Sequence, residues 1–187
     1  MDAPRPVVSL TLDELRATTA YGADRARTVL HHFAGARPDD ARVLDALLAA
    51  DEFSQGAPRR ATLRSAAWTA HRAGQEAGST PAAEAARAAM SAAAAAFLHP
   101  LARPHQVKHI LGAAAHAARA VELAEGNAAA SAHLVRSREL AGATVRAVLL
   151  RYPAAPAGGG RVGELVRTLD EAVRGSMPPD GPGQARW

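Results

Sequence analysis

The stretch from Ala85 to Leu98 is almost entirely alanine, interrupted by a few other residues such as Met90 and Phe97. Alanine has the highest intrinsic helix propensity, and the chain nowhere shows sustained alternation of β-branched residues. A helix without a polar face must be packed on several sides. The sequence therefore predicts an all-α fold, a compact bundle of six to seven helices whose small side chains allow close packing.

Capping residues, prolines and glycines set the expected helix boundaries. Thr11-Leu-Asp-Glu14 matches a capping box that starts the first helix, and Thr80-Pro81 starts the alanine helix. We expect residues 1–174 to form one helical domain and residues 175–187 a flexible Pro/Gly-rich tail. The seven expected helices cover residues 12–32, 38–53, 60–78, 81–98, 104–125, 128–151 and 162–174.

Composition narrows the compartment and the kinds of partner. The absence of cysteine excludes a disulfide framework, a thiolate metal site and a cysteine nucleophile. No apolar run reaches the roughly 20 residues of a membrane span, and the amino terminus lacks the apolar core of a signal peptide. The net charge is +4, but the basic residues are spread through almost every segment, which speaks against a nucleic-acid partner. We therefore expect a cytoplasmic protein with no membrane partner.

Histidines mark one face of the fifth expected helix. At about 100° per residue, His105, His109 and His116 fall within about 40° of one another, and Gly112 lies between them. The helix thus carries a histidine stripe that contains a hollow. Imidazoles packed in such a hollow should stay mostly neutral at pH 7, because desolvation and mutual repulsion both lower their pKa values.

The fifth helix is expected to be central, because its other side is apolar. We expect it to be buried against the third and fourth helices, with His71 of the third helix facing the stripe. Trp68 neighbours His71 at i,i+3, although a lone tryptophan on an amphipathic helix is usually part of the core. His31 and His32, by contrast, are expected in solvent. The candidate binding residues are Asp24, Trp68, His71, His99, His105, His109, Gly112 and His116.

A metal site is one possible role for the stripe. His105 and His109 have the i,i+4 spacing of two metal ligands on one helix. Asp24, Glu76 and Glu84 are available as carboxylates, but nothing in the sequence brings them to the stripe. We therefore favour hydrogen bonding between close-packed helices over a metal site, and we expect no cofactor.

Acid/base catalysis is the other possible role, since histidine titrates near neutrality. Lys108 lies about 100° around the helix from His109, so the only lysine is expected in solvent. No nucleophile elbow or zinc-protease motif is present, and Gly158-Gly-Gly160 lacks the lysine and hydroxyl residue of a P-loop. The sequence thus favours a binding role over an enzyme. If the protein were an enzyme, the candidate catalytic residues would be His71, His105, Lys108, His109 and His116.

Three segments resemble a bacterial family. They are AAWTAHRAGQE at 66–76, AAEAAR at 82–87 and HQVKHILGAAAHAAR at 105–119. In these segments the chain is similar to the all-α immunity proteins that bacteria, commonly actinobacteria, encode beside polymorphic toxins. The opening helix and residues 151–164 are similar as well, so the resemblance extends over about residues 10–174.

The resemblance implies a non-catalytic protein that binds and neutralises a cognate toxin. Immunity proteins against nucleases are often acidic, because they compete with nucleic acid for a basic cleft, so this basic chain is poorly matched to a nuclease. The residues themselves suggest a second hypothesis, a small enzyme or ligand-binding protein of specialised metabolism with a histidine-lined pocket between helices. A third hypothesis, a nucleic-acid-binding module, would require binding that weakens steeply with salt. The sequence does not indicate an oligomeric state.

Overall fold

The structure is a computed structural model that describes residues 6–78 and 80–175. Over those residues it is all-α, as predicted, with nine α-helices and no β-strand, and none of these helices is both long and apolar enough to cross a bilayer. The predicted tail lies, from residue 176 onward, outside the described residues. The helices are α1 Leu12–Arg27, α2 Leu30–Ala36, α3 Arg42–Ser54, α4 Ala61–Glu76, α5 Pro81–Ala95, α6 Val107–Glu125, α7 Asn127–Glu139, α8 Ala143–Leu150 and α9 Gly160–Gly175, and a 3-10 turn, Pro104–Gln106, leads into α6.

Two expected helices are each divided in two, so the expected number of six to seven is too low. The first stops at Arg27, where the hydroxyl of Thr28 donates to the carbonyl of Arg25 (2.7 Å) and competes with the backbone for a hydrogen-bond partner. The sixth is interrupted at Gly142, which caps the start of α8 in an extended conformation. The other five helices are present, with ends that differ from the prediction by a few residues.

Two of the predicted caps are formed. The Thr11 hydroxyl accepts a hydrogen bond from the Glu14 amide (3.2 Å), and the Glu14 carboxylate accepts one from the Thr11 amide (2.8 Å). At α5, Thr80 accepts from the amide of Ala83 (3.2 Å), and Pro81 occupies the first helical position. These contacts satisfy amide groups that the helix itself leaves unpaired.

Helix α5 lies at the centre of the bundle. It packs against α1, α2, α3, α4 and α6, and almost all of its alanines are fully buried. The approach is closest at Gly22 of α1, where an added Cβ atom would lie 3.2 Å from the Cα atom of Ala92. Small side chains on both sides therefore determine how near the helices can come.

Helix α6, the histidine helix, packs against α5, α1, α7 and α9. Its expected burial against the third helix is wrong, because that helix is α4, which packs on α3 and α5 and has no extended contact with α6 in the described part of the chain. Trp68 of α4 is 62% exposed, so its assignment to the core is wrong too. Helix α5 separates α4 from α6 and leaves them as neighbours on one surface of the bundle.

The chain before α1 fixes the loop between α5 and α6. Val7 forms an isolated antiparallel bridge with Leu101, and the Ala102 amide donates to the carbonyl of Pro6 (3.2 Å). The buried Tyr152 donates its hydroxyl to the carbonyl of His99 (2.8 Å). These long-range contacts hold His99 in place at one end of the surface shared by α4 and α6.

We expect Gly22→Ala to lower the free energy of unfolding by about 1 kcal/mol, measured by chemical denaturation. The added methyl would press on backbone of α5, which cannot move easily because helices surround it, and this cost outweighs the higher helix propensity of alanine. Gly35→Ala is the matched control, because no atom lies within 4 Å of its added Cβ atom. The control should be neutral or stabilising, and an equal loss in both variants would contradict the proposed role of close packing.

Candidate functional site

A cavity of about 400 Å³ lies between α5, α6 and the start of α9, and we call it the α6–α9 cavity. His105, His109, Gly112 and His116 all line it, so the histidine stripe surrounds one hollow. The lining is mixed in character, with imidazole, amine and hydroxyl groups beside apolar side chains. The complete lining consists of Met90, Ser91, Ala94, His105, Lys108, His109, Gly112, His116, Gly159, Val162, Gly163 and Val166.

Lys108 lines the same cavity as His109, although the two residues point in different directions from α6. It is exposed, as expected, but it is not remote from the histidines. The loop before α9 forms the cavity wall next to Lys108. An added Cβ atom on Gly159 in this loop would lie 3.5 Å from Lys108 Nζ. Helical periodicity within α6 describes one wall only, which is why the sequence did not connect Lys108 with the cavity.

The loop before α9 depends on glycine. Gly158, Gly159 and Gly160 have φ angles of +86°, +78° and +58°, a region that residues with a side chain rarely adopt. Gly163 packs so closely on this loop that an added Cβ atom would lie 2.0 Å from the carbonyl oxygen of Gly158. Arg167 Nη1 donates to the same oxygen (2.7 Å). The loop is thereby held against the first turns of α9, beside the cavity.

His116 belongs to an ion-pair network between α5 and α6. Its Nδ1 atom lies 2.6 Å from Oε2 of Glu84, and Nη1 of Arg87 donates to Oε1 of the same carboxylate (2.6 Å). Burial opposes ionisation of Glu84, but the hydrogen bond from His116 and the charges of His116 and Arg87 outweigh it, so the pKa of Glu84 lies below its usual value. An ionised Glu84 makes Nδ1 of His116 the donor. Of the three carboxylates considered from the sequence, Glu84 is thus the one that reaches the stripe.

Ser91 is the site residue that sequence reasoning missed. It is 7% exposed and lines the cavity, and its Oγ atom would lie 3.4 Å from a Cβ atom on Gly112. This hydroxyl has no hydrogen-bond partner among the described residues. Its position in a run of alanines was the only available signal, and that signal does not show which side of α5 faces the stripe.

A metal site lacks ligands in the part of the chain that the structure describes. No group of three or more histidine, aspartate or glutamate side chains converges there in a way that could hold an ion. His105 and His109 share the cavity, but Glu84 is already engaged by His116 and Arg87. Among the stripe histidines in the described chain, only His116 has a hydrogen-bond partner, Glu84, while His105 and His109 face an open cavity.

A second hollow, of about 530 Å³, runs between α4 and α6 over α5, and we call it the α4–α6 groove. Trp68 and His71 line it from α4, and their rings meet edge to face with centroids 5.8 Å apart. The groove shares His109, Met90 and Ala94 with the α6–α9 cavity, so the two hollows are adjacent.

A third hollow, of about 500 Å³, continues the groove towards the α5–α6 loop and includes His99. Arg59 and Arg64 lie over the ring of Phe97, at 5.5 and 4.5 Å from its centroid. Cation–π contacts of this kind keep the guanidinium groups beside the groove. We call the surface formed by the three hollows the histidine face.

The remaining candidates lie elsewhere. Asp24 is exposed on α1, 3.7 Å from Arg27, and lines none of the three hollows. His31 is exposed as expected, but His32 is partly buried, and its Nε2 atom has no hydrogen-bond partner within the described chain. Burial and the nearby charge of His31 lower the pKa of His32. Asp24, His31 and His32 therefore do not contribute to the histidine face.

A match to a known family covers the helices that form most of this face. Residues 9–143 match the Imm-5 like putative immunity protein family. The chain belongs to this family. No curated protein and no solved structure matches the chain. The three segments that carried the resemblance lie within the match, but the match ends at residue 143, so it does not include residues 144–174.

For this immunity-family protein, the extent of the match separates two parts of the histidine face. Helices α4, α5 and α6, which line the α4–α6 groove, lie inside the matched residues. Gly159, Val162, Gly163 and Val166, which close the α6–α9 cavity, lie beyond them. The groove is therefore built from the family region alone, whereas the cavity also needs the carboxyl-terminal helix.

We expect the His109 imidazole to titrate below the value of a histidine in a short peptide, measured by NMR. Burial and the charge of His105 lower its pKa. A histidine with a lowered folded pKa contributes stability that is present above about pH 6.5 and is lost as the pH falls towards the folded value. The free energy of unfolding should therefore decrease from about pH 7 to about pH 5, and His109→Gln should weaken this dependence. An unchanged dependence in the variant would show that His109 is not desolvated.

Proposed function

We propose that this protein neutralises a cognate toxin by binding it, without catalysing a reaction on it. Membership of the immunity family supports a toxin partner. The observation that carries the location of binding is the 62% exposed side chain of Trp68 beside the α4–α6 groove. A large apolar ring in solvent at the edge of a hollow is typical of a surface that a partner covers.

The surroundings of Trp68 suit a binding anchor. The ring is oriented by its edge-to-face contact with His71, so little freedom is lost when a partner covers it. Arg64 lies one turn away on α4 and is held over Phe97. Tryptophan and arginine are the residues most enriched among those that dominate binding energy at protein interfaces.

The charge of the histidine face indicates the charge of its partner. Arg59, Arg60 and Arg64 line the hollows at one end and Lys108 at the other, and no aspartate or glutamate lines any of the three. A positive surface of this kind attracts an acidic partner and speeds its association. We therefore propose a toxin with an acidic patch, which differs from a nuclease that presents a basic cleft.

The α6–α9 cavity favours a second candidate function, binding of a small molecule. It is large enough for one, and it combines apolar walls with a few polar groups, as ligand pockets do. The Glu84–His116 pair could also support acid/base chemistry there. A gene located in a biosynthetic cluster, with no toxin gene beside it, would favour this candidate over toxin binding.

We expect Trp68→Ala to weaken binding of the toxin encoded by the neighbouring gene by at least about 2 kcal/mol. Co-expression should rescue growth with the unchanged protein and fail or weaken with the variant, and calorimetry on the purified pair should give the affinity. Because Trp68 is mostly exposed, its replacement should leave the melting temperature nearly unchanged.

Leu44→Ala is the matched control, since Leu44 is a 45% exposed apolar residue of α3 that lines none of the three hollows. It should leave the affinity unchanged. Equal effects of both substitutions would place the interface elsewhere. If the unchanged protein neither binds the toxin nor rescues growth, that result would contradict toxin neutralisation itself.

A further inference from the structure

The α6–α9 cavity contains an unpaired cation. Lys108 forms no ion pair or hydrogen bond with any described residue, although it lines the cavity and lies next to Gly159. The arginines nearby behave differently. Arg161 is bound by Glu122 and Glu164, and Arg87 is bound by Glu84. The ammonium group of Lys108 is therefore free to pair with a charge that the chain itself does not supply.

A second donor in the cavity is also unused. Ser91 is more than nine-tenths buried and lines the cavity, and its hydroxyl has no hydrogen-bond partner among the described residues. This hydroxyl is therefore free to donate a hydrogen bond to a group that enters the cavity. The cavity is the space from which a partner for this hydroxyl would come.

The remaining wall adds positive potential. Gly159, Val162 and Gly163 place the amino-terminal end of α9 at the cavity, and the amide groups at the start of a helix favour a negative charge. No aspartate or glutamate lines the cavity, and the carboxylates of neighbouring residues are already paired, Glu84 with His116 and Arg87, and Glu122 and Glu164 with Arg161. The electrostatics thus favour an anion over a cation.

The apolar part of the lining limits the kind of anion. Met90, Ala94, Val162 and Val166 contribute hydrocarbon surface to a space of about 400 Å³. A bare inorganic ion would leave most of this surface uncovered, whereas a short aliphatic chain would cover it.

We propose that the α6–α9 cavity binds a small organic anion by its carboxylate or phosphate group. Lys108 pairs with the charged group, Ser91 donates a hydrogen bond to it, and the start of α9 adds its dipole. The apolar side chains hold the hydrocarbon part of the ligand. This assignment does not depend on toxin binding, because residues of this chain form the whole lining of the cavity.

The test uses the full chain with hexanoate as the probe and hexanamide, its uncharged analogue, as the ligand control. We expect saturable binding of hexanoate in calorimetry, NMR shifts centred on Ser91, Gly112 and Gly159, and little or no binding of hexanamide. Inorganic phosphate should compete with hexanoate, since both carry the recognised charge. Failure of hexanoate and phosphate to bind, or equal binding of hexanoate and hexanamide, would overturn the proposal.

Four variants separate the site from the overall positive charge. We expect Lys108→Met to weaken hexanoate binding by about tenfold and Ser91→Ala by about threefold, while Lys108→Arg should retain most of the affinity. Arg72→Met removes one exposed charge of α4 outside the cavity and should have no effect. A loss in Arg72→Met equal to that in Lys108→Met would show that binding follows net charge, which overturns the assignment.

The source of the anion can be distinguished with the toxin encoded by the neighbouring gene. If the toxin displaces hexanoate, the recognised carboxylate is an acidic side chain of the toxin. If the toxin and hexanoate bind together, the ligand is a free small molecule. If the toxin does not bind at all, the proposed toxin neutralisation fails while the hexanoate result decides the anion site separately.

Discussion

The close approach of neighbouring helices to α5 is the constraint on which the rest of the structure depends. Five helices contact α5, and its alanine side chains let each of them come near. At Gly22 even a methyl group would press on the backbone of Ala92. Because α5 lies between α4 and α6 and its side chains are short, those two helices flank a hollow over it without packing on each other. The α4–α6 groove is the direct result.

Local signals predicted the helices well and their interruptions poorly. The alanine run, the caps at Thr11 and Thr80 and the stripe of histidines all act within a few turns of one chain segment, so the sequence shows them. The interruption at Thr28 depends on which hydrogen bond its hydroxyl prefers, and the exposure of Trp68 depends on which helices cover α4. Amphipathic patterning predicts a buried face, but it does not show how much of that face a neighbour covers.

For the candidate site, too, local sequence predicted the features within one helix but not those that depend on how helices pack together. The stripe on α6 follows from helical geometry, and the structure places it around one cavity. The other walls come from α5 and α9, which are separate segments of the chain. Lys108 enters the site only because the glycine loop before α9 folds beside it, and Ser91 enters because α5 turns that residue towards Gly112. No spacing within a single segment contains this information. The sequence therefore named Lys108 as a candidate without placing it beside the stripe, and it did not single out Ser91.

The α4–α6 groove and the α6–α9 cavity have lining residues in common, so a side-chain movement in one hollow would alter the other. His109 and Met90 line both the α4–α6 groove and the α6–α9 cavity. A ligand that moves either side chain from the cavity also changes the surface offered to a partner in the groove, and by linkage the partner changes the affinity for the ligand equally. Burial and the charge of His105 lower the pKa of His109, so both hollows favour the uncharged form of this shared imidazole. Since α9 lies beyond the family match, such an effect would link the groove, whose helices lie inside the match, to a cavity that α9 completes.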